Sequence, residues 1–229
     1  MTGRHHSNTF SDECAGIVKN VGASVKNLKS GDRVYCQSFA KLGNFVRDKA
    51  SFCQKLQPGD TFEAAATLPI AFCTAIYGLI DLGRLRENES VLIQSATGAV
   101  GLAAIQIARM YGAEIYATVG TQEKKDQLLQ MGYGIAEDHI FGSRDVESAK
   151  SLMEHTNGKG IDVILCSARG ELMHEYWRCI APMGRFVEIG RTEVLEKGQL
   201  NLDIFQRTAT FASFDLEVMS NIRPDIISE

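Results

Sequence analysis

No apolar run in the chain approaches the roughly 20 residues that a membrane-spanning helix needs, and the opening "MTGRHHSNTF" has no apolar core of the kind a secretory signal carries. An excess of positive charge is missing as well. The formal net charge is −4, which argues against a nucleic-acid partner or an anionic membrane surface, since either favours a basic face. The six cysteines (Cys14, Cys36, Cys53, Cys73, Cys166 and Cys179) are scattered, with no Cys-x-x-Cys pair and no Cys/His cluster at ligand spacing. That excludes the usual zinc frameworks, and no metal is expected. His5 and His6 are adjacent in a polar terminus and read as bystanders. Several cysteines sit in apolar stretches such as "AFCTA" and "VILCSA". They read as buried free thiols of a reducing compartment, and the expected location is the cytoplasm.

What is present is an ordinary globular balance, 45% hydrophobic and 23% charged over 229 residues, enough for one large domain or two modest ones. Internal repeats and low-complexity segments are absent, but two textures alternate. From about Ser11 to Pro69, short stretches such as "AGIVKNVG", "GDRVYCQSF" and "NFVRDKASFCQKL" alternate apolar and polar residues between turns, as in a small antiparallel domain. "TFEAAATLPIAFCTAIYGLIDLG" reads as helical, interrupted at Pro69 and ending near Leu82. From Ser90 onward, apolar strands alternate with amphipathic helices, the pattern of a parallel sheet with crossover helices. Strands are expected at Ser90–Gln94, Glu114–Val119, His139–Phe141, Asp162–Cys166, Arg185–Ile189 and Thr208–Phe214. Helices are expected at Gly98–Met110, Glu123–Met131, Val146–Thr156 and Gly170–Ile180. The expected division is a β-rich half over residues 1–73 and a doubly wound half over 74–229.

The first strand of the series runs into "QSATGAVG". Gly98 lets backbone N–H groups approach a pyrophosphate, Gly101 lets the helix pack closely on its strand, and the helix N-terminus adds partial positive charge. Alone a G-x-x-G is weak evidence; after the first strand of an alternating series it points to a dinucleotide. An NAD site usually places an acid at the end of the next strand, for the ribose 2′-hydroxyl. Here "EIYATV" is followed by Gly120, Thr121, Gln122, Glu123, Lys124 and Lys125, with no carboxylate at the strand end itself. Lysines in that place favour a 2′-phosphate, and so NADPH.

Together the glycine turn, "ATVGTQEKK", "GKGIDVILCSARGEL" and "APMGRFVEIG" resemble zinc-independent medium-chain dehydrogenase/reductases. "DECAGIVKNVGASVKNLKSGDRV", "LPIAFCTAIYGLIDLGRL" and "EDHIFGSRDVESAKSL" are more narrowly similar to the enoyl reductase domains of highly reducing polyketide synthases and animal-type fatty acid synthases. The resemblance implies an α/β fold: a Rossmann-type doubly wound parallel sheet preceded by a partial GroES-like β-rich substrate domain, with more substrate domain expected beyond both ends. The implied reaction is NADPH-dependent reduction of an enoyl thioester on an acyl carrier protein, working with other synthase domains. Such a site has to stabilise an enolate oxygen and deliver one proton.

Carried over residue by residue, the resemblance implies Thr74 near the nicotinamide and Ser95, Thr97, Gly98, Ala99, Val100 and Gly101 at the pyrophosphate. It puts Gly120, Thr121 and Lys124 at the adenosine end, and Cys166, Ile189 and Gly190 along the ribose and nicotinamide. The catalytic candidates are Arg191, where relatives carry a lysine, and its partner Asp215. A guanidinium suits an oxyanion but holds its proton too tightly to be a good general acid. Relatives also usually show asparagine where Cys166 stands. Family resemblance further implies a homodimer paired through the last strand, "TATFASFDL". Two other readings stand beside the enoyl reductase: a degenerate, non-catalytic dinucleotide-binding or dimerisation module, and a free-standing NADPH quinone reductase.

Overall fold

The computed structural model describes residues 11–40, 43–144 and 146–228. It divides into two compact units, Met1–Cys73 with Leu216–Glu229, and Thr74–Asp215.

In the first unit, strands β1 (Ser11–Ile17), β2 (Arg33–Ala40) and β3 (Cys53–Lys55) form an antiparallel sheet in that order. The turn into β2 is fastened where Asp32 accepts the Lys29 N–H at 2.9 Å. Helix α1 (Phe62–Ala65) is capped by Thr61, and α2 begins at Pro69 and runs to Ile76. Proline suits the first position of a helix, where its missing N–H is not needed. The stretch from Leu216, expected with the doubly wound half, instead groups with this unit. Buried Gln37 donates from Nε2 to Ser220 Oγ at 3.0 Å, and a buried amide needs such a partner.

Phe62–Leu82 corrects a second expectation. It is 21 residues long, and an 18-residue stretch of it has a mean hydropathy of 1.6, long and apolar enough by those measures to cross a membrane, with 39% of that stretch buried. Glu63, Thr67, Pro69, Thr74 and Asp81 interrupt its apolar residues, so no uninterrupted apolar run reveals it. Past Ile76 the helix widens over Tyr77–Leu82, with Gly83 N–H bonding to Gly78 O at 2.9 Å.

The second unit is a six-stranded parallel sheet: β4 (Ser90–Ile93), β5 (Glu114–Val119), β6 (Ile140–Gly142), β7 (Ile161–Cys166), β8 (Ile180–Glu188) and β9 (Thr210–Ser213). The spatial order β6-β5-β4-β7-β8-β9 is the Rossmann order, with its reversal between β4 and β7. Crossovers run through α3 (Ala99–Met110), α4 (Gln122–Gln130), α5 (Glu147–His155) and α6 (Glu171–Arg178). Every residue of β4 is buried, as a central parallel strand covered on both faces must be. Trp177 and Tyr176 of α6 are fully buried against the sheet, and Trp177 Nε1 donates to Asn201 O at 2.9 Å. One strand differs from its expected bounds in an instructive way. β8 starts at Ile180 rather than Arg185, because "APMG" belongs to the strand and bulges. Ile161 pairs with Ile180 and Val163 already with Arg185, while Met183 takes a left-handed conformation (φ 62°) to absorb the extra residues.

Arg185 then fixes the helix end to the sheet. Buried, it donates to the carbonyls of Gly83 and Arg84 and pairs with Glu89 through two nitrogens. Removing one partner of such a buried pair leaves the other uncompensated. Arg185→Met is expected to lower unfolding stability by about 3 kcal/mol in a denaturant titration; a loss under about 1 kcal/mol would show the network to be incidental.

Candidate dinucleotide site

β4 ends at Ile93, and the chain turns sharply with Ser95 in a left-handed conformation (φ 54°). The turn is held from β5: Ala96 N–H donates to Thr118 O at 2.9 Å and Ser95 N–H to Thr118 Oγ1 at 3.2 Å. Gly98 caps α3 and donates its N–H to Ser95 O at 2.8 Å. A Cβ on Gly101 would lie 2.6 Å from Ser95 O and 2.7 Å from the Ala96 backbone, atoms that cannot step aside. The lack of a side chain therefore lets the first turn of α3 sit directly on the strand turn. Gly98 and Ala99 are exposed, and Thr97 and Val100 are half-buried. The unpaired first-turn N–H groups of a 12-residue helix are thus accessible to an anion.

A cleft of about 300 Å³ opens where the sheet reverses, lined by Gln94 and Ser95 after β4, Thr118 on β5, Ser143 after β6, and Ser167 and Ala168 after β7. Ligands of open parallel sheets sit at this reversal, outside the carboxyl ends of the strands. Gln94, quoted in the motif but assigned no role from sequence, braces the cleft. Its buried Oε1 accepts the N–H groups of Ser167 (3.1 Å) and Ala168 (3.0 Å), while its buried Nε2 has no partner. Ser167 Oγ also donates to Ser95 Oγ at 3.3 Å. A polar amide closing a wholly buried strand was the available signal. A glycine cradle under exposed helix N–H groups, with an orphaned amide behind it, fits a dinucleotide pyrophosphate.

At the end of β5, Thr121 caps α4, its Oγ1 accepting the Lys124 N–H at 3.3 Å. The strand end is less free of acid than its sequence implied. The Thr121 hydroxyl also bonds the Glu123 carboxylate and holds its pKa below the usual range. Lys125 pairs with Glu137 at 3.8 Å, whereas exposed Lys124 has no ion pair among the described residues. A second cation joins it. A Cβ on Gly120 would lie 3.5 Å from Arg144 Nε and 3.7 Å from Nη2. Arg144 follows β6, whose register brings Ser143 N–H onto Val119 O at 2.8 Å. Only the β5–β6 pairing makes it a neighbour of Gly120.

At the third strand end the side chain expected along the cofactor turns inward. The Cys166 side chain does not face the cleft: it is fully buried in the apolar core with Tyr176 and Phe186, and that burial raises its pKa. The lining passes to the next two residues, Ser167 and Ala168. Ile189 donates its N–H to Cys166 O at 2.8 Å, and a Cβ on Gly190 would lie 3.0 Å from Ser167 O. Ile189 and Gly190 therefore stand beside the cleft loop. Thr74 is buried on α2 and is not among the residues lining the cleft.

Arg191 and Asp215 do come together. Arg191 caps the short helix α7 (Thr192–Leu195) with φ 64°, a left-handed conformation that costs a non-glycine residue about 1 kcal/mol or more. Its N–H is held by the Glu188 carboxylate, its Nη1 donates to Ser213 Oγ at 3.2 Å, and its Nε stands 3.5 Å from Asp215 Oδ2. Ser213 Oγ in turn donates to Glu188 Oε2 at 2.8 Å. Glu188, fully buried and unremarked in the sequence, is thus the anchor of the Arg191 turn. Among the described residues no group of three His, Cys, Asp or Glu is placed to hold a metal; His5 and His6 lie outside the described residues.

This fold and strand-end site define a nicotinamide dinucleotide-binding protein of the medium-chain dehydrogenase/reductase type. The zinc-binding dehydrogenase family matches residues 99–219. Prosolanapyrone synthase of Alternaria solani is 47% identical over 216 residues, 94% of this chain and 8% of that protein. The crystal structure of CurK enoyl reductase superposes with a TM-score of 0.84 at 36% identity, over 96% of this chain and 64% of that one. The nucleotide-binding subdomain of the enoyl reductase domain of PpsC from Mycobacterium tuberculosis is 38% identical with a TM-score of 0.64, over 69% of this chain and 87% of that one. The chain belongs to the zinc-binding dehydrogenase family and, within it, to the enoyl reductase domains of highly reducing polyketide synthases. It spans less than a tenth of the length of that synthase.

The two glycines of the turn are expected to respond differently to a methyl group. Gly101→Ala meets backbone and should lower stability by about 1–3 kcal/mol, as overpacking does. Gly98→Ala, with its nearest atom at 3.2 Å, should lose less. Equal losses in thermal or denaturant unfolding would contradict the close-approach role of Gly101.

Proposed function

We propose that the chain reduces the α,β double bond of an enoyl thioester presented on an acyl carrier protein, with NADPH as its cofactor. The observation that carries the cofactor choice is the pair of cations after the β5 end, Arg144 beside Gly120 and exposed Lys124 in the first turn of α4. Gly98, Ala99, Val100 and Gly101, with Ser95 and Thr97, would hold the pyrophosphate. Lys124 and Arg144 would take the 2′-phosphate, with Gly120 and Thr121 against the adenosine ribose. Glu123 opposes a phosphate there, and its bond to the Thr121 hydroxyl restrains it. Ile189, Gly190 and Thr74 would border the nicotinamide end, which, when bound, supplies a hydride for the β-carbon.

The chain's own task is to offset charge growing on the thioester oxygen. Arg191 carries a permanent charge at the β8 and β9 ends, oriented by Ser213, Asp215 and Glu188. It keeps its proton, so in this proposal water protonates the α-carbon. The other domains of a synthase would deliver and remove the acyl chain, in the cytoplasm. A homodimer through β9 is also proposed. Among the described residues β9 pairs with β8 alone, which leaves one edge of the sheet open. The matched relatives, a polyketide synthase and enoyl reductase domains, favour the enoyl reductase over a free-standing quinone reductase. The non-catalytic reading retains one observation: Arg191 is already engaged by Ser213 and Asp215.

Nicotinamide fluorescence titration and thioester-dependent NADPH oxidation test the proposal. NADPH binding well above NADH, with oxidation on adding a crotonyl thioester, is expected; binding without oxidation would favour the non-catalytic module. Lys124→Ala and Arg144→Ala should each weaken NADPH about tenfold or more, equal to about 1.4 kcal/mol, and leave NADH nearly unchanged. Equal losses for both dinucleotides would remove these residues from the phosphate site. Arg191→Lys restores a group able to give up a proton and should raise the reduction rate; an unchanged rate would clear Arg191 as the limiting position.

A further inference from the structure

Three of the six cysteines, far apart in sequence, form a single rung of the antiparallel sheet. The register pairs Cys14 of β1 with Cys36 of β2, and Cys36 with Cys53 of β3. Directly opposed residues of neighbouring strands point to the same face, so the three thiols stand side by side with Cys36 in the middle. Cys14 Sγ and Cys36 Sγ are 3.3 Å apart, and the register sets Cys53 directly opposite Cys36 on the other side, where its thiol donates to Lys49 O at 3.6 Å. Cys36 is buried, whereas Cys14 and Cys53 are partly exposed and open to a small reagent.

We infer that Cys14, Cys36 and Cys53 constitute a redox modification site, a thiol–disulfide relay in which Cys36 bonds to either neighbour in turn. Two geometric facts support it. A disulfide sulfur is attacked along the S–S axis by the incoming thiolate, and three strands in the order β1-β2-β3 bring attacking, central and leaving sulfurs to one rung. Directly opposed strand positions also bring Cβ atoms within roughly 5 Å, near the range that a disulfide spans.

The chemistry of the thiols is graded along the rung. Contact with the central thiol lowers Cys14 to about 7 and lowers Cys53 as well, while Cys36 itself is pushed up; its single S–H serves one neighbour at a time, so the outer sulfurs take thiolate character in turn. Asp48, whose Oδ2 accepts from Ser38 Oγ at 2.6 Å, opposes this at both outer positions. Cys166 and Cys179, buried in the other unit with raised pKa values, are inert by comparison.

The steps balance with a small disulfide, such as oxidised glutathione, as oxidant. The Cys14 thiolate attacks it, forming a mixed disulfide and releasing one glutathione thiolate, which takes the Cys36 proton. The Cys36 thiolate then attacks Cys14 Sγ, forming the Cys14–Cys36 bond and releasing the second glutathione as thiolate. Two protein thiols are oxidised and one glutathione disulfide is reduced. The Cys53 thiolate next attacks Cys36 Sγ, forming Cys36–Cys53 and freeing the Cys14 thiolate with no net redox change.

The test treats the reduced full chain with oxidised glutathione, traps remaining thiols by alkylation and maps the bonds by peptide mass spectrometry. Both Cys14–Cys36 and Cys36–Cys53 peptides are expected, with Cys166 and Cys179 recovered as alkylated thiols. In Cys53→Ser only Cys14–Cys36 should form. In Cys36→Ala the outer residues should stop as glutathione adducts. Mixed disulfides alone in the unaltered chain, no reaction at all, or one of the two bonds without the other would each overturn the relay. The unaltered chain decides this by itself should Cys36→Ala fail to fold.

Discussion

The first turn of α3 lies so close to the turn after β4 that no side chain fits between them at position 101, where even a methyl carbon would lie 2.6 Å from Ser95 O. Much of the site follows from that approach. It aims the exposed N–H groups of the helix over the cleft, forces Ser95 into a left-handed conformation, and brings the Ser95 hydroxyl to Ser167. Gln94 completes the brace, because one side-chain oxygen holds the N–H groups of both Ser167 and Ala168. The two strands that flank the sheet reversal are thereby tied at their carboxyl ends by a single buried amide.

The adenosine end is governed by a different balance. A helix N-terminus at Thr121 favours negative charge, and Glu123 already supplies some. Under the proposed NADPH reading a 2′-phosphate would compete with that carboxylate, so one exposed lysine on α4 would not suffice to hold it. Arg144 changes the balance. Its guanidinium lies beside Gly120 on a neighbouring strand end, and a planar, multiply donating cation suits a phosphate better than a lone ammonium. With Lys125 engaged by Glu137, the local count is two available cations against one restrained acid.

Much of this was legible in the sequence because the relevant signals are local. Periodicity located the six strands and four crossover helices, and the glycine spacing located the turn. What escaped depends on partners distant along the chain. Arg144 becomes a site residue only through the β5–β6 pairing, and Gln94 and Glu188 only through loops that fold back onto them. The direction of the Cys166 side chain escaped for the converse reason. Standing at a strand end says nothing about which face a side chain takes, and the pleat turns Cys166 into the core. The thiol rung is the extreme case, since a one-residue slip of β2 would separate all three sulfurs.

In the proposed reaction Arg191 is the residue on which chemistry turns, and its surroundings favour a fixed charge over a mobile proton. Its backbone is held in an unfavourable conformation by the fully buried Glu188, and its guanidinium is engaged by Ser213 and Asp215. A lysine at this position would reach Asp215 as a single point charge, without the fork that binds Ser213 at the same time. The arginine therefore exchanges proton lability for orientation. An oxyanion needs the second property, because donors already in place require no reorganisation as charge develops. Protonation of a carbanion needs the first, and in the proposed reaction that part would be left to solvent.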